Sequence, residues 1–156
     1  MGASGPQVMD VFVFAADVDT LVVRMNGSSR PLLLAAGIFG FTGVTLGALG
    51  AHQLREFLTQ RDTLPIWQMA VSYQLIHAVA LLALAGRSEK SPLVAWSGAC
   101  WMTGVVLFSG SLFGLALGGP RVLGPVTPLG GLLLLAGWVV VMVDGWKSAG
   151  KPANDR

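Results

Sequence analysis

The sequence predicts an all-α integral membrane protein, a four-helix bundle with a non-membrane extension at its N-terminus. Three observations predict it. The 156 residues are 53% hydrophobic and 12% charged, with a mean hydropathy of +0.67, whereas a soluble domain carries about 25% charged residues. Four apolar stretches, each about one bilayer long, are separated by short polar connections. The first of them, Pro31 to His52, holds no charge before its end and five glycines, Gly37, Gly40, Gly43, Gly47 and Gly50, at spacings of three or four. A soluble helix tolerates this poorly, since each glycine costs about 1 kcal/mol against alanine. In a membrane the same residues let helices approach closely.

Residues 1–30 differ from the rest. The run VMDVFVFAADVDTLVV is apolar but contains Asp10, Asp17 and Asp19, and a spanning helix would bury each carboxylate at about 2.5–3.5 kcal/mol near its centre. The basic residues Arg24 and Arg30 come late and the acids early, which fits neither a secretory signal nor a transit peptide. The expectation is a docking arm on a partner or on the membrane surface. A mobile extension is the plainer alternative.

The first span, 31–52, starts at Pro31, which suits a first helical turn. The polar connection AHQLREFLTQRDTLP follows, where Leu54, Phe57 and Leu58 suggest an interfacial turn. The second span, 66–85, follows Pro65, and Trp67 is expected at the headgroup level. Its first half is unusually polar, with Gln68, Ser72, Tyr73, Gln74 and His77. The third span, 92–118, opens with Ser91-Pro92, a helix-start signature. Within it Gly110, Gly114 and Gly118 form two overlapping GxxxG steps and predict a close helix contact, as Gly43 and Gly47 do in the first span. The fourth span, 127–145, is expected to be capped by Thr127 and started by Pro128, with Asp144 at the interface. Residues 148–156 form a polar tail.

The short connections imply antiparallel neighbours and hence a bundle. Arg24, Arg30, Arg87, Lys90, Lys147, Lys151 and Arg156 fall on one side and Arg55, Arg61 and Arg121 on the other. That asymmetry places both termini on the cytoplasmic or matrix side.

Little in the chain points to chemistry. The net charge of +2, without basic stripes interleaved with aromatics, argues against nucleic acid. The single cysteine, Cys100, precludes an intramolecular disulfide and a multi-cysteine metal site, and reads as a packing residue. No phosphate loop, dinucleotide fingerprint or nucleophile elbow is present. His77 is the main candidate, since an ionisable residue inside a membrane is a functional hypothesis by default. With Tyr73, four residues away on the same face, and Gln74, it forms a candidate polar or lipid site for proton relay or a polar headgroup. The plainer reading is a neutral histidine bonded across helices. His52 joins the candidate set at the end of span one, facing headgroups or closing the loop. The two histidines lie at different depths, His77 roughly 16 Å inside by helical rise, so one haem between them is not expected. No catalytic residue, metal site or cofactor is expected, a bound phospholipid aside.

The motifs GALGAH, Y-Q-x-x-H (Tyr73, Gln74, His77), VLFSGSLFGLAL and TPLGGLLLLAGW occur in order over residues 32–146. This pattern resembles the small four-helix membrane family of unknown function that includes transmembrane protein 256 of eukaryotes and its bacterial inner-membrane relatives. The resemblance implies four helices and a membrane location, and no established activity. The family-motif positions are His52, Tyr73, His77, Ser109, Gly110, Thr127, Pro128, Gly130 and Gly131. Residues 1–30 lie outside it. The resulting expectation is a non-catalytic accessory subunit, its partners the bilayer and other membrane subunits met through glycine-lined helices and the arm. In a eukaryote the location would be the mitochondrial inner membrane and a respiratory-chain complex, and otherwise the bacterial inner membrane. The alternatives are a small transporter or lipid-binding protein using His77 and Tyr73, and, behind it, a bound-cofactor protein.

Overall fold

The computed structural model describes residues 29–87 and 91–149. The expectations for the arm before residue 29 and for the tail from residue 150 fall outside the described residues. Five helices follow one another: α1 (Arg30–Ala51), α2 (Arg55–Gln60), α3 (Leu64–Ala85), α4 (Pro92–Ala116) and α5 (Leu123–Ala149). No strand occurs among the described residues. All but the short α2 are long and apolar enough to cross a membrane.

The start signals act much as the residue chemistry dictates. Pro31, Pro65 and Pro92 each sit in the first turn of their helix, where an N–H has no helical partner to lose. Ser91 caps α4, its hydroxyl accepting from the Leu93 amide at 3.2 Å. Two boundaries differ from expectation. Helix α4 ends at Ala116, and Gly118 adopts φ +87°, a left-handed conformation that closes the helix. Helix α5 begins at Leu123 instead of Thr127, so Pro128 lies inside it. Pro125 makes this earlier start easy, because its missing N–H falls in the unpaired first turn.

The chain packs as two antiparallel hairpins, α1 against α3 and α4 against α5. In the first, an added Cβ on Gly43 would meet Leu75, one on Gly47 would meet Val71, and one on Gly50 would meet Trp67. In the second, Trp101 lies on Gly137, Gly104 on Leu134 and Phe108 on Gly130. The Thr127 hydroxyl meets Ser111 at 2.7 Å in the same register. Gly130 marks the tightest crossing, since a Cβ there would strike the backbone of Phe108, not the end of a side chain. The hairpins join through α3 and α4, around a core that includes Leu81, Leu84, Trp101, Val105 and Leu134. A second cluster sits at the far end, where Leu58 of α2 is fully buried against Trp67 and Ala116.

The glycine expectation is therefore only partly realised. Gly43, Gly47 and Gly114 face neighbours, whereas Gly110 is exposed with nothing within 4 Å of its Cβ position. Gly118 is outside the helix and accommodates the Arg61 guanidinium. The three do not form one helix-packing line, because the helix ends before the third and the first turns to lipid.

Candidate functional site

Polar groups join the two hairpins at three levels. At one end Thr63 Oγ1 donates to the Ala116 carbonyl at 2.9 Å and so satisfies an end carbonyl of α4. At the other end Arg87 Nη1 lies 2.9 Å from Asp144 Oδ2. Ser91 Oγ donates to Asp144 Oδ1 at 2.8 Å. Asp144 is 4% exposed, so the expected interfacial carboxylate is turned inward and closes this end of the bundle by holding the α3 terminus and the α4 cap together.

The middle level is His77. Trp138 Nε1, from α5, donates to His77 Nε2 at 3.2 Å. An indole N–H has no lone pair to offer, so Nε2 must be the acceptor. The proton therefore sits on Nδ1, which donates to the Tyr73 carbonyl at 2.8 Å. Both partners are satisfied only by the neutral Nδ1–H tautomer. Trp101 meets the imidazole edge-on at 5.9 Å and Trp138 lies 4.7 Å from Trp101, so the ring is enclosed by indoles on the side of the second hairpin. The Trp101 Nε1–H itself is buried and has no hydrogen-bond partner among the described residues.

The four sequence candidates do not converge on one centre. Tyr73 and His77 are brought together, their rings near parallel at 6.3 Å, with Tyr73 also packed on Phe108 at 4.6 Å. Gln74 points the other way. Its Nε2 donates to the Phe39 carbonyl at 2.9 Å and to Thr42 Oγ1 at 2.6 Å, tying α3 to α1. His52 is exposed at the end of α1, beside Arg55 and Glu56 in an open surface groove. Among the described residues no group of three or more His, Cys, Asp or Glu side chains is placed to hold a metal ion.

One expectation is corrected. Trp67 is not a headgroup anchor. It is 2% exposed, donates from Nε1 to the Leu46 carbonyl at 2.9 Å, and meets Phe113 edge-on at 4.7 Å. Gly50 gives it the room. Trp96 and Trp146, 66% and 86% exposed near the opposite end of the bundle, fit the interfacial aromatic role instead. Sequence reasoning also missed Trp138 and the Arg87–Asp144 pair. A tryptophan deep in a span signals a donor in need of an acceptor, and antiparallel packing already brings the end of α3 beside the end of α5.

A family described as a protein of unknown function (DUF423) matches residues 46–131. The chain belongs to this family. The matched residues run from the end of α1 through α2, α3 and α4 to the first turns of α5, the region that holds His77, Ser111, Thr127 and Gly130. Among curated proteins the chain is 42% identical over 118 residues to the UPF0382 inner membrane protein YgdD of Escherichia coli (strain K12), covering 74% of this chain and 89% of that one. It is 41% identical over 108 residues to UPF0382 membrane protein SH2409 of Staphylococcus haemolyticus, covering 69% and 88% respectively. It is 36% identical over 118 residues to UPF0382 membrane protein C1782.12c of Schizosaccharomyces pombe, covering 69% and 95%. No solved structure matches. The chain is thus a small membrane protein of a family with relatives named for the bacterial inner membrane.

Proposed function

We propose that this chain is a non-catalytic accessory subunit of a larger membrane complex. One observation carries the reading: the hydrogen bonds of Gln74, His77 and Trp138 are made inside the chain, while glycine-bearing helix faces are left open. Gln74, His77 and Trp138 end on one another's helices or on α1. Gly37, Gly40 and Gly110 have nothing within 4 Å of their Cβ positions. A groove of about 370 Å³ between α1 and α4, lined by Ile38, Phe39, Thr103 and Val106 among others, opens to the bilayer. Small residues at an open helix face favour a second helix over lipid, because the backbones pack closely there.

In this reading both termini lie on the cytoplasmic or matrix side, supported by the basic bias of that side. The bacterial inner membrane is the setting that relatives such as YgdD support. For a eukaryotic chain the mitochondrial inner membrane and a respiratory-chain complex remain the finer proposal. The competing reading is a small transporter or lipid-binding protein working through Tyr73 and His77. The 42% exposure of Tyr73 favours it, and the commitment of both His77 nitrogens weighs against it.

A native gel of mildly solubilised membranes, probed for this chain, tests the proposal. Migration with a large assembly is expected, and mass spectrometry of that band names the partners. Migration as a monomer or small oligomer overturns the subunit reading.

A further inference from the structure

The two hairpins open with the same pattern. The motif PLxxxxGxxxxTGVxL runs over residues 31–46 and again over 92–107. Pro31 and Pro92 both lie in a first helical turn, so α1 and α4 occupy equivalent places. The contacts within each hairpin repeat with them. The motif glycines Gly43 and Gly104 face Leu75 of α3 and Leu134 of α5, and one turn on Gly47 faces Val71 where Phe108 faces Gly130. These pairs set α3 and α5 in register, Val71 with Gly130 and Leu75 with Leu134. The chain is thus two copies of one hairpin, and in a repeat each unit buries the same faces against its neighbours.

The first unit holds the second through α4. Trp101 and Phe108 of α4 lie on His77 and Tyr73 of α3, at 5.9 and 4.6 Å. Val105, between them in the chain, is 2% exposed, and Leu32 of α1 fills the space at Gly98. The equivalent faces at the two outer edges are open. On α5, Leu132 and Ala136 stand where α3 has Tyr73 and His77, and Leu129 and Val143 extend that face; all four are exposed. On α1, Val44 stands where α4 has Val105, yet it is 64% exposed. Gly37, the counterpart of Gly98, has nothing within 4 Å of its Cβ position. Within one chain α1 and α5 do not pack as a pair, so neither face covers the other.

We propose that α5 of one copy packs against α1 of a second copy of this chain, repeating the step from α3 to α4. The repeat singles out the occupant. An α4 helix covers the face of α3, and α1 is the helix that carries the α4 motif. Helices α5 and α1 run in opposite directions, as α3 and α4 do, so two copies inserted the same way meet without inversion. Leu93, the counterpart of Leu32, then fills the space at Gly37 of the second copy, as Leu32 does at Gly98. The faces also complement one another in size. Leu129 and Leu132 project from α5, while Gly37 and Gly40 leave α1 low enough for close approach. Two unlike faces meet, so the contact is head-to-tail. It uses the open glycines of α1 but does not rest on the accessory-subunit reading, which needs a different protein.

Cross-linking between two differently tagged full-length copies, co-expressed in the chain's own membranes, tests this. Both copies carry Cys100→Ser. One carries Val44→Cys and the other Leu132→Cys or Ala136→Cys. Oxidation is expected to give a disulfide-linked product bearing both tags. Val79→Cys, on the exposed outer side of α3, paired with Leu132→Cys is expected to give little. So are two copies that both carry Val44→Cys, because like faces do not meet. No mixed product, as much product from either reference pair, or an adduct with a different protein in its place overturns the proposal. A side chain at Gly37 starts into open space within its own chain but blocks the seat of Leu93. Gly37→Leu is therefore expected to lower the mixed product about tenfold, and an undiminished product overturns the contact. The native gel decides the accessory-subunit reading separately: a homo-oligomer free of other proteins ends that reading and leaves this one standing.

Discussion

Trp138 of the second hairpin donates its indole N–H to Nε2 of His77 in the first, at 3.2 Å. This hydrogen bond joins the hairpins deep within the bundle, whereas Thr63–Ala116 and Arg87–Asp144 join them at its two ends. It also fixes which histidine nitrogen carries the proton.

Removing that bond is expected to loosen the bundle without preventing insertion. Trp138→Phe keeps an aromatic ring and deletes the donor, and is expected to cost about 1 kcal/mol, the scale of hydrogen bonds between membrane helices. His77→Leu is expected to cost a similar amount, and the double variant less than the sum. Reversible unfolding in mixed micelles measures all three. Strict additivity would show that the two side chains do not interact.

Gly130 and Gly110 make a matched contrast. A methyl group at Gly130 meets the Phe108 backbone, which cannot rotate away, so Gly130→Ala is expected to destabilise by about 2–3 kcal/mol through overpacking. Gly110 faces open space. Gly110→Ala is expected to be neutral or to stabilise by up to about 1 kcal/mol through helix propensity. The same unfolding measurement reads both, and an equal effect at the two positions would contradict the crossing geometry.

Asp144 is closed off from solvent while the side chain of Arg87 is one-third exposed, at 33%. Deleting the cation strands a buried charge, so Arg87→Ala is expected to cost about 2–3 kcal/mol, below the range for a fully buried pair. Exchanging both residues for an apolar pair is expected to recover much of that loss. Stability of the two variants, measured side by side, decides the point.

The tryptophans divide by burial. Single-tryptophan variants in vesicles containing brominated lipid are expected to show strong quenching for Trp96 and Trp146 and weak quenching for Trp67 and Trp101, each 2% exposed. Strong quenching of Trp67 would return it to the membrane surface.

Hydropathy was enough to read the spans, their number and their antiparallel order from the sequence. It sums over about 20 residues, so a few polar positions such as Gln74 or Asp144 do not disturb it. Pro31, Pro65 and the Ser91-Pro92 pair marked helix starts because their effect on the backbone is local. Pro128 misled for the same reason: the first turn tolerates proline at Pro125, and the start moved upstream.

The sequence by itself determined that this protein lives in a membrane as four packed helices. Only the tertiary structure decided which neighbour each side chain meets. These helices are apolar on nearly every face, so periodicity gives no direction to the core, unlike an amphipathic soluble helix. Gln74 and His77 are three residues apart on α3, yet one bonds to α1 and the other to α5. Gly43 and Gly110 look alike in their motifs, yet one lies against Leu75 and the other is open. Each residue turns the helix by about 100°, so a contact depends on helix rotation and on the helix placed beside it, and both are set by packing among all four spans together.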